Sequence, residues 1–341
     1  MFLDAQRFFN DRLVDLGQKL GNAYDGIRAP EGFIDLAKPG VGSQFLEEAD
    51  KYHQQWFNPE LTKKNLKPQI AALSRLPKHP IILDVGSGSG NSIIALFDLL
   101  PESTILATDI SEHILAILKR EVEQRDIDTS RLAVSCADLH SIKLVPNTFD
   151  LVVGGSILHH LFDPLIALQN ISRGLKVGGE AIFMEPLEPG WALTKLAFQT
   201  MIADAEVRPG LGEQELAIMK SFAWQWETRK GTDKSAQALK NFDDKWLFAR
   251  SYLEKIASDA HLSVRIVPHS VPKDLINALT TQVMNNFIGV GKWSLPDWAK
   301  AVMARFDNTF SDEQRGDMGA GGLVVFQKTW SKTSRREKDT L

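Results

Sequence analysis

The sequence predicts an α/β protein with a mostly parallel sheet, and three observations lead to that prediction. From residue 81 onward, short apolar segments alternate with segments of helical spacing. The apolar segments are nearly continuous, which is typical of parallel strands that helices cover on both faces. A glycine-rich turn follows the first of these segments, between Val85 and Asn91. Strand, turn and helix in this order are the unit from which doubly wound sheets are built.

Five strands are predicted in this central region. They are IILDV, TILATD, RLAVSCAD, FDLVVGG and EAIFMEP, with helices near 91–100, 111–126 and 164–174. The segments LSVRIVPHS and GGLVVFQKTW are further strand candidates. The carboxyl ends of parallel strands meet at one edge of a sheet, which is where such folds bind ligands. The residues expected at that edge are 84–90, Asp109, Asp138, Gly155, Ser156 and Glu185.

The flanking regions are predicted to be mostly helical. Residues 1–76 are expected to form an N-terminal helical cap, and residues 77–188 the ligand-binding core. Residues 189–330 are expected to hold helical insertions and the last two strands, and residues 331–341 a disordered polar tail. Seven of the eight tryptophans lie beyond residue 190. They either pack these helices onto the sheet or belong to a helical lid over the ligand.

Composition limits the classes of partner. The chain has 341 residues, a net charge of −4 and 43% hydrophobic residues, which is typical of a globular protein without a primary nucleic-acid surface. The sequence shows neither a signal peptide nor an apolar run of membrane-spanning length. A single cysteine, Cys136, excludes an intramolecular disulfide and a thiolate metal cluster, and it fits a reducing cytoplasm. A homodimer is left open.

The glycine turn predicts a ligand that contains a nucleoside. Gly86, Gly88 and Gly90 allow positive φ angles and close approach of the backbone to a ligand. A helix that begins near Asn91 directs its free N–H groups toward the turn. Asp109, which ends the next strand, is placed to accept hydrogen bonds from a ribose diol. The G-x-G-x-G spacing differs from the dinucleotide motif, which requires glycine at position 91, and from the phosphate-binding loop, which ends in G-K-S/T.

Residues 81–186 resemble the class I S-adenosylmethionine-dependent methyltransferases of the ubiquinone- and menaquinone-biosynthesis-like, small-molecule type. The resemblance rests on five segments in matching order and spacing. They are ILDVGSGSGN, ATDIS, CADLH, FDLVVGGSILHHLFDP and ISRGLKVGGEAIFMEP. It implies a Rossmann-like sheet of seven strands with the last one antiparallel. It also implies S-adenosylmethionine as cofactor and S-adenosylhomocysteine as product.

The resemblance further implies which residues bind the cofactor. The first strand's acid would orient the amino group, and the glycine turn would lie under the methionine moiety. The second strand's acid would take the ribose hydroxyls, the third strand's acid the adenine amine, and the end of the fourth strand would lie near the methyl group. The residues implied are Asp84, Gly86, Ser87, Gly88, Gly90, Asp109, Ile110, Asp138, Leu139, Gly155 and Ser156.

Three residues are candidates for catalysis. His159 and His160 follow the fourth strand, and either could act as a general base or only pack and orient the cofactor. Glu185 could contact substrate, act as base, or be a cap or a salt-bridged core acid. No metal is expected, because the sequence shows no clustered His and carboxylate ligands.

The predicted reaction is methyl transfer to O, N or C of a small, apolar or aromatic organic molecule. The chain lacks a D/N-P-P-Y tetrapeptide and a Pro-Cys nucleophile, which lowers the expectation of nucleic-acid bases as substrate. Two alternatives stay open. One is a protein or RNA methyltransferase, and the other is a non-methylating scaffold or sensor that binds the cofactor.

Overall fold

A nine-stranded sheet lies at the centre of the residues that the structure describes, which are 1–329 except 39, 74, 231–233, 235–238, 240 and 241. The structure is a computed structural model. The strands are β1 (Leu13–Asp15), β2 (Ile27–Pro30), β3 (Ile81–Val85), β4 (Thr104–Asp109), β5 (Leu132–Cys136), β6 (Phe149–Gly155), β7 (Leu175–Pro186), β8 (Leu262–Pro268) and β9 (Gly321–Lys328). The tail predicted at 331–341 lies outside the described residues.

Helices surround this sheet. Within the described ranges they are α1 (Gly17–Leu20), α2 (Ala49–Trp56), α3 (Pro59–Ala71), α4 (Asn91–Leu99), α5 (Glu112–Gln124), α6 (Pro164–Gly174), α7 (Glu188–Asp204), α8 (Glu213–Arg229), α9 (Arg250–Asp259), α10 (Leu275–Phe287), α11 (Asp297–Asp307) and α12 (Asp312–Gly316). Short 3₁₀ turns occupy Ala5–Phe8, Asn22–Tyr24, Phe33–Asp35, Ser43–Phe45, Thr129–Arg131 and Leu158–His160. None of the described helices has the length and apolar character needed to cross a membrane.

The strand order is β1-β2-β5-β4-β3-β6-β7-β9-β8, and it confirms the predicted α/β class. Strands β3 to β7 pair in parallel, and β9 runs antiparallel to both β7 and β8. The chain leaves β3 toward one edge of the sheet and later returns through β6 toward the other. The reversal between β3 and β6 opens a crevice at the carboxyl ends of the strands.

The N-terminal region differs from the mostly helical cap that the sequence predicts, because two of its segments join the sheet. β1 pairs antiparallel with β2, and β2 pairs in parallel with β5. With these two additional strands the sheet has nine strands, whereas the sequence predicts seven. Ile27 and Ala29 alternate with partly exposed neighbours, so their side chains enter the core beside the otherwise free edge of β5. The apolar spacing around Leu13 resembles a helix, but pairing with β2 prevails.

The C-terminal helices have a core of their own. Side chains from α7, α8, α10 and α11 form a separate hydrophobic cluster, in which Phe198, Met219 and Met284 are fully buried. Trp191, Trp293 and Trp298 are partly buried and pack against this cluster. Trp191, Trp293 and Trp298 therefore pack the helices against one another, whereas the sequence-based interpretation expects such residues to pack the helices onto the sheet.

Candidate active site

A cavity of about 230 Å³ lies at the carboxyl ends of β3, β4, β5 and β6. One side, here named the strand-end wall, consists of Gly86, Gly88, Asp109, Asp138 and Gly155. A second group of lining residues, here named the loop wall, consists of Gly40, Val41, Phe45, Tyr52 and Phe162. Other lining residues are Ala37, Lys38, Thr108, Ile110, Ile114, Ala137, Leu139, His140, Ser156, Ile157, His160, Leu161 and Asp243. The cavity lies at the predicted edge of the sheet.

Most of the predicted site residues meet at this cavity. Those that line it are Gly86, Gly88, Asp109, Ile110, Asp138, Leu139, Gly155, Ser156 and His160. Asp84, Ser87, Gly90, His159 and Glu185 do not line it. The structure therefore separates residues that a ligand can touch from residues that support them.

The glycine turn has the backbone conformation that its sequence predicts. Gly86, Gly88 and Gly90 have φ angles of 65°, 53° and 105°, all in the left-handed region. A Cβ on Gly88 would have Ile114 as its nearest neighbour, at 4.0 Å, so it would extend into open space at the cavity. A Cβ on Gly86 would lie 2.8 Å from the Ile157 side chain. A Cβ at Gly86 would thus crowd the Ile157 side chain, whereas glycine at Gly88 leaves open space at the cavity.

Asp109 links the glycine turn to the end of β4. The backbone N–H of Gly88 donates to its Oδ2 over 3.0 Å, and the N–H of Ser111 donates to its Oδ1 over 3.0 Å. Burial raises the pKa of Asp109, although these hydrogen bonds act in the opposite direction. A carboxylate oxygen has a second lone pair, so each oxygen can still accept a hydrogen bond from a ligand hydroxyl.

Asp138 carries a second carboxylate into the cavity. Its Oδ1 accepts from the backbone N–H of His140 and lies 2.9 Å from the Nδ1 of that residue. Burial acts to raise the pKa of Asp138, but the hydrogen bonds with His140 prevail and lower it. Among the described residues, no group donates to Oδ2, which is therefore free for a ligand N–H.

Asp84 lies behind the glycine turn and is fully buried. The Ser92 hydroxyl donates to its Oδ2 over 2.7 Å, while Oδ1 has no hydrogen-bond partner among the described residues. Burial raises the pKa of this carboxyl group to about 7. An unpartnered buried oxygen is costly, so Asp84 carries an unused acceptor beneath the cavity.

His159 and Glu185 form a buried pair that shapes the turn after β6. Glu185 accepts the backbone N–H groups of Ile157, Leu158 and His159, and its Oε2 lies 2.6 Å from His159 Nδ1. Burial acts to lower the pKa of His159, but the negative charges of Glu185 and Asp244 prevail and raise it to about 9. This geometry makes the pair a support for the turn, and a catalytic role for either residue stays a prediction.

His160 is the histidine that lines the cavity. Its Nδ1 lies 3.0 Å from the carbonyl oxygen of Asp243, and its ring meets Phe45 edge-on at 5.4 Å between centroids. Burial and the positive charge of His159 lower the pKa of His160 to about 4, so the imidazole is neutral at physiological pH. Of the two adjacent histidines, His159 is therefore positively charged and His160 is neutral.

His159, His160 and Asp244 have ligand-type atoms within 4.8 Å of one another. Asp244 Oδ1 lies 3.4 Å from His159 Nε2 and 3.5 Å from His160 Nδ1. The Nδ1 atoms of both rings already have oxygen partners, in Glu185 and in the Asp243 carbonyl. The arrangement follows from these charges and hydrogen bonds, and the expectation of no metal stays a prediction.

The loop wall is not predicted from the sequence. Its residues belong to a glycine- and proline-rich loop, to α2 and its preceding turn, and to the segment after β6. In the structure a Cβ on Gly40 would lie 2.5 Å from the Phe162 ring, so a glycine at this position lets the two segments of the loop wall pack together. No described tryptophan lines the cavity, so the lid predicted for residues 189–330 stays a prediction.

A family model described as a methyltransferase domain matches residues 83–181. This range covers β3 to β6 and the first part of β7, and so contains the glycine turn, Asp109, Asp138 and both histidines. The match therefore covers the strand-end wall and excludes most of the loop wall.

Relatives extend the likeness at low identity. A demethylmenaquinone methyltransferase of Bacillus licheniformis is 26% identical over 182 residues, which are 53% of this chain and 71% of that protein. A second one, from Lactiplantibacillus plantarum, is 29% identical over 139 residues, or 40% of this chain and 58% of that protein. The uncharacterized protein YafE of Escherichia coli is 31% identical over 101 residues, which are 30% of this chain and about half, 48%, of that relative.

Solved structures are also similar. Phosphoethanolamine N-methyltransferase 2 of Haemonchus contortus, in complex with S-adenosyl-L-methionine, aligns with a TM-score of 0.49 at 14% identity. The alignment covers 83% of this chain and 57% of that one. The YcgJ protein of Bacillus subtilis aligns with a TM-score of 0.45 at 13% identity, over 78% of this chain and 98% of that one.

Proposed function

We propose that this chain, a class I S-adenosylmethionine-dependent methyltransferase, binds its cofactor in the 230 Å³ cavity and methylates a small organic molecule. The observation that carries the proposal is the contact between the two cofactor motifs. Asp109, at the end of β4, accepts the N–H of Gly88 at the cavity surface. The glycine turn and this carboxylate are therefore held together as one unit.

The residues of the strand-end wall fit the cofactor. The open space beside Gly88 is a cradle that any Cβ would fill. Asp109 and Asp138 each have free acceptor capacity at the cavity, suited to ribose hydroxyls and the adenine amine. The cofactor carries a sulfonium and an ammonium group, and carboxylates stabilise such charges. Asp84, with its unpartnered Oδ1, is the proposed partner of the amino group, reached through a small local movement or a water.

The bound cofactor supplies a methyl group that is already activated for displacement. The chain's own contribution is therefore orientation and exclusion of water. Gly155 and Ser156, at the end of β6, line the part of the cavity proposed for the reacting methyl group. The loop wall brings Phe45, Tyr52 and Phe162 to the same space, where their rings limit the entry of water.

The apolar and aromatic character of the loop wall supports a small, apolar or aromatic acceptor. The wall's apolar and aromatic side chains are those of Val41, Phe45, Tyr52 and Phe162, and Leu161 also lines the cavity. The two relatives named as demethylmenaquinone methyltransferases are named for a small-molecule substrate, which agrees with this choice. A cytoplasmic location and a homodimer remain predictions.

Incubation of the host's metabolite extract with methyl-labelled S-adenosylmethionine tests the proposal. We expect the wild-type protein to transfer label to one or a few small molecules, and the Asp109→Ala variant to transfer little or none. Label found only in protein or RNA fractions would favour the protein or RNA methyltransferase alternative. Cofactor binding without transfer to any fraction would favour the scaffold or sensor.

A further inference from the structure

Lys245 is a fully buried lysine beside the cavity. Its ammonium group donates to three carbonyl oxygens, those of Gly40 at 2.9 Å, His160 at 2.9 Å and Asp243 at 3.3 Å. The same nitrogen lies 4.6 Å from the centroid of the Phe162 ring. A lysine has three N–H donors, so this tripod satisfies all of them.

Such a burial is costly, because a charged ammonium loses its hydration. Neutral carbonyl oxygens stabilise the buried ammonium less than a carboxylate would. Burial therefore lowers the pKa of Lys245. A methionine or leucine would fill the same space without that cost. The tripod therefore points to a requirement for a donor at this place, and the three carbonyls show what it holds.

Two of the three carbonyls that accept from Lys245 also fix the position of His160. One is its own, and the other belongs to Asp243, which also receives the Nδ1 of the His160 ring at 3.0 Å. A carbonyl oxygen only accepts, so Nδ1 carries the proton and Nε2 carries the lone pair. No described residue bonds to Nε2, and the ring lines the cavity. Nε2 is therefore the acceptor that His160 offers to a bound molecule.

The charged groups around His160 act in both directions. Its neighbour His159, with ring centroids 4.1 Å apart, is held positive by Glu185 and Asp244 and disfavours a second positive charge. Lys245 acts in the same sense, while Asp244 Oδ1, 3.5 Å from Nδ1, opposes it. Phe45 covers the ring edge-on and carries no charge. The balance keeps the imidazole neutral.

We propose that Lys245 is a positioning residue that holds His160 as the neutral Nδ1–H tautomer, with Nε2 available to the methyl acceptor. This inference rests on the proposed function and narrows its substrate to molecules whose nucleophile carries a proton, a hydroxyl or an N–H group. Nε2 accepts the hydrogen bond of that group and directs its lone pair. The lone pair forms the new bond to the methyl carbon, the electrons of the broken carbon–sulfur bond remain on sulfur, and the proton passes to Nε2. Asp244 Oδ1 lies 3.5 Å from His160 Nδ1, and its side chain is 53% exposed. The protonated imidazole can therefore release its Nδ1 proton through Asp244 to solvent.

Nitrogen NMR of the full chain labelled at histidine tests this role, with His160→Gln assigning the signal. In the wild type we expect His160 to be neutral, with Nδ1 protonated, down to about pH 5. In Lys245→Met the His160 titration is expected to move up by about one pH unit, with a mixture of both tautomers. Lys245→Arg, which keeps the charge and the donors, is expected to retain most of the wild-type signature.

Lys245→Gln is the second variant, in case methionine prevents folding, because it removes the charge and retains a donor. A merely structural lysine would change stability but not the tautomer or titration of His160. Wild-type signals in a folded Lys245→Met or Lys245→Gln protein therefore overturn the inference. Calorimetry with S-adenosylhomocysteine on the same samples separates the two claims. Absence of binding by the wild type would overturn the proposed function, whatever the histidine signals show.

Discussion

The strand-end wall and the loop wall face the same cavity, yet they come from the chain in different ways. The strand-end wall is drawn from residues 86–155, where each member ends or follows a parallel strand. The loop wall joins residues 40–52 to Phe162, more than a hundred positions away. Repetition of one local unit therefore builds the first wall, whereas the second depends on tertiary contacts made by Asp243 and Lys245.

The two walls also differ in chemistry. The strand-end wall presents two carboxylates and bare backbone, while the loop wall presents aromatic and aliphatic side chains. A cofactor with positive charges suits the first and an apolar acceptor the second. This division of labour can be broken by substitutions that affect one wall and not the other.

The largest expected effect comes from Glu185, which supports the turn from which both walls continue. Glu185→Gln places an amide where three backbone N–H groups require an acceptor and removes the partner of His159. We expect the free energy of unfolding to fall by about 3–5 kcal/mol, as for other buried pairs that lose one member. Urea denaturation followed by circular dichroism measures it.

Glu206→Gln is the matched control, because Glu206 is exposed. Its effect should stay within about 0.5 kcal/mol. An equally small effect of Glu185→Gln would show that the His159–Glu185 pair does not stabilise the turn. The catalytic role predicted for Glu185 would then be favoured.

The next effect is a pH dependence of stability that arises from Asp84, behind the glycine turn. Because burial raises the pKa of Asp84 in the folded state, from 3.8 to about 7, the fold favours its protonated form. Its contribution to stability is complete below about pH 4 and is lost as the pH rises through about 7. The loss amounts to about 4 kcal/mol at one pKa unit per 1.36 kcal/mol.

Asp84→Asn removes this titration while keeping the shape of the side chain. Without cofactor, the difference in unfolding free energy between wild type and variant should therefore change between about pH 4 and pH 7, and it should favour the variant at the higher pH. A difference that is independent of pH contradicts the buried, protonated state of Asp84.

Asp109→Ala should weaken the binding of S-adenosylhomocysteine by about 100-fold. The variant loses the acceptor for the ribose and frees the N–H groups of Gly88 and Ser111, and hydrogen bonds to charged groups contribute about 1.5–3 kcal/mol each. Isothermal titration calorimetry measures the change. Unaltered affinity in the variant would remove the cofactor from this wall.

The smallest expected effects form a matched pair across the cavity. Gly88→Ala should weaken binding of S-adenosylhomocysteine by about 10-fold, because the alanine methyl group would enter the space proposed for the cofactor. Alanine also disfavours the φ of 53° at this position. Phe45→Ala, on the loop wall, should change that affinity by less than about threefold and instead lower labelled methyl transfer. Equal losses of affinity in both variants would mean that the walls share one ligand.

The sequence predicts the strand-end wall well for a physical reason. Strand, turn and helix are local patterns, and parallel pairing then brings Asp109 and Asp138 to one edge without further information. The loop wall depends on contacts such as Gln44 with Asp243, at 2.7 Å, which link residues 199 positions apart. A single sequence contains no local pattern that announces them.

The same argument explains the N-terminal strands and the histidine pair. β2 pairs with the open edge of β5 and β1 then pairs with β2, and such an edge exists only once the sheet is assembled. His159 and His160 are the same residue type at adjacent positions. Which of them is charged depends on their tertiary partners, Glu185 for His159 and the Asp243 carbonyl for His160.

Ultraviolet cross-linking of methyl-labelled S-adenosylmethionine, followed by peptide mapping, tests most directly whether this cavity holds the cofactor. We predict label in peptides that contain residues 86–90, 109–114, 138–140 or 155–162, with loss of the label when S-adenosylhomocysteine is added in excess. Label confined to residues 189–329, or label that excess S-adenosylhomocysteine does not displace, would contradict the account.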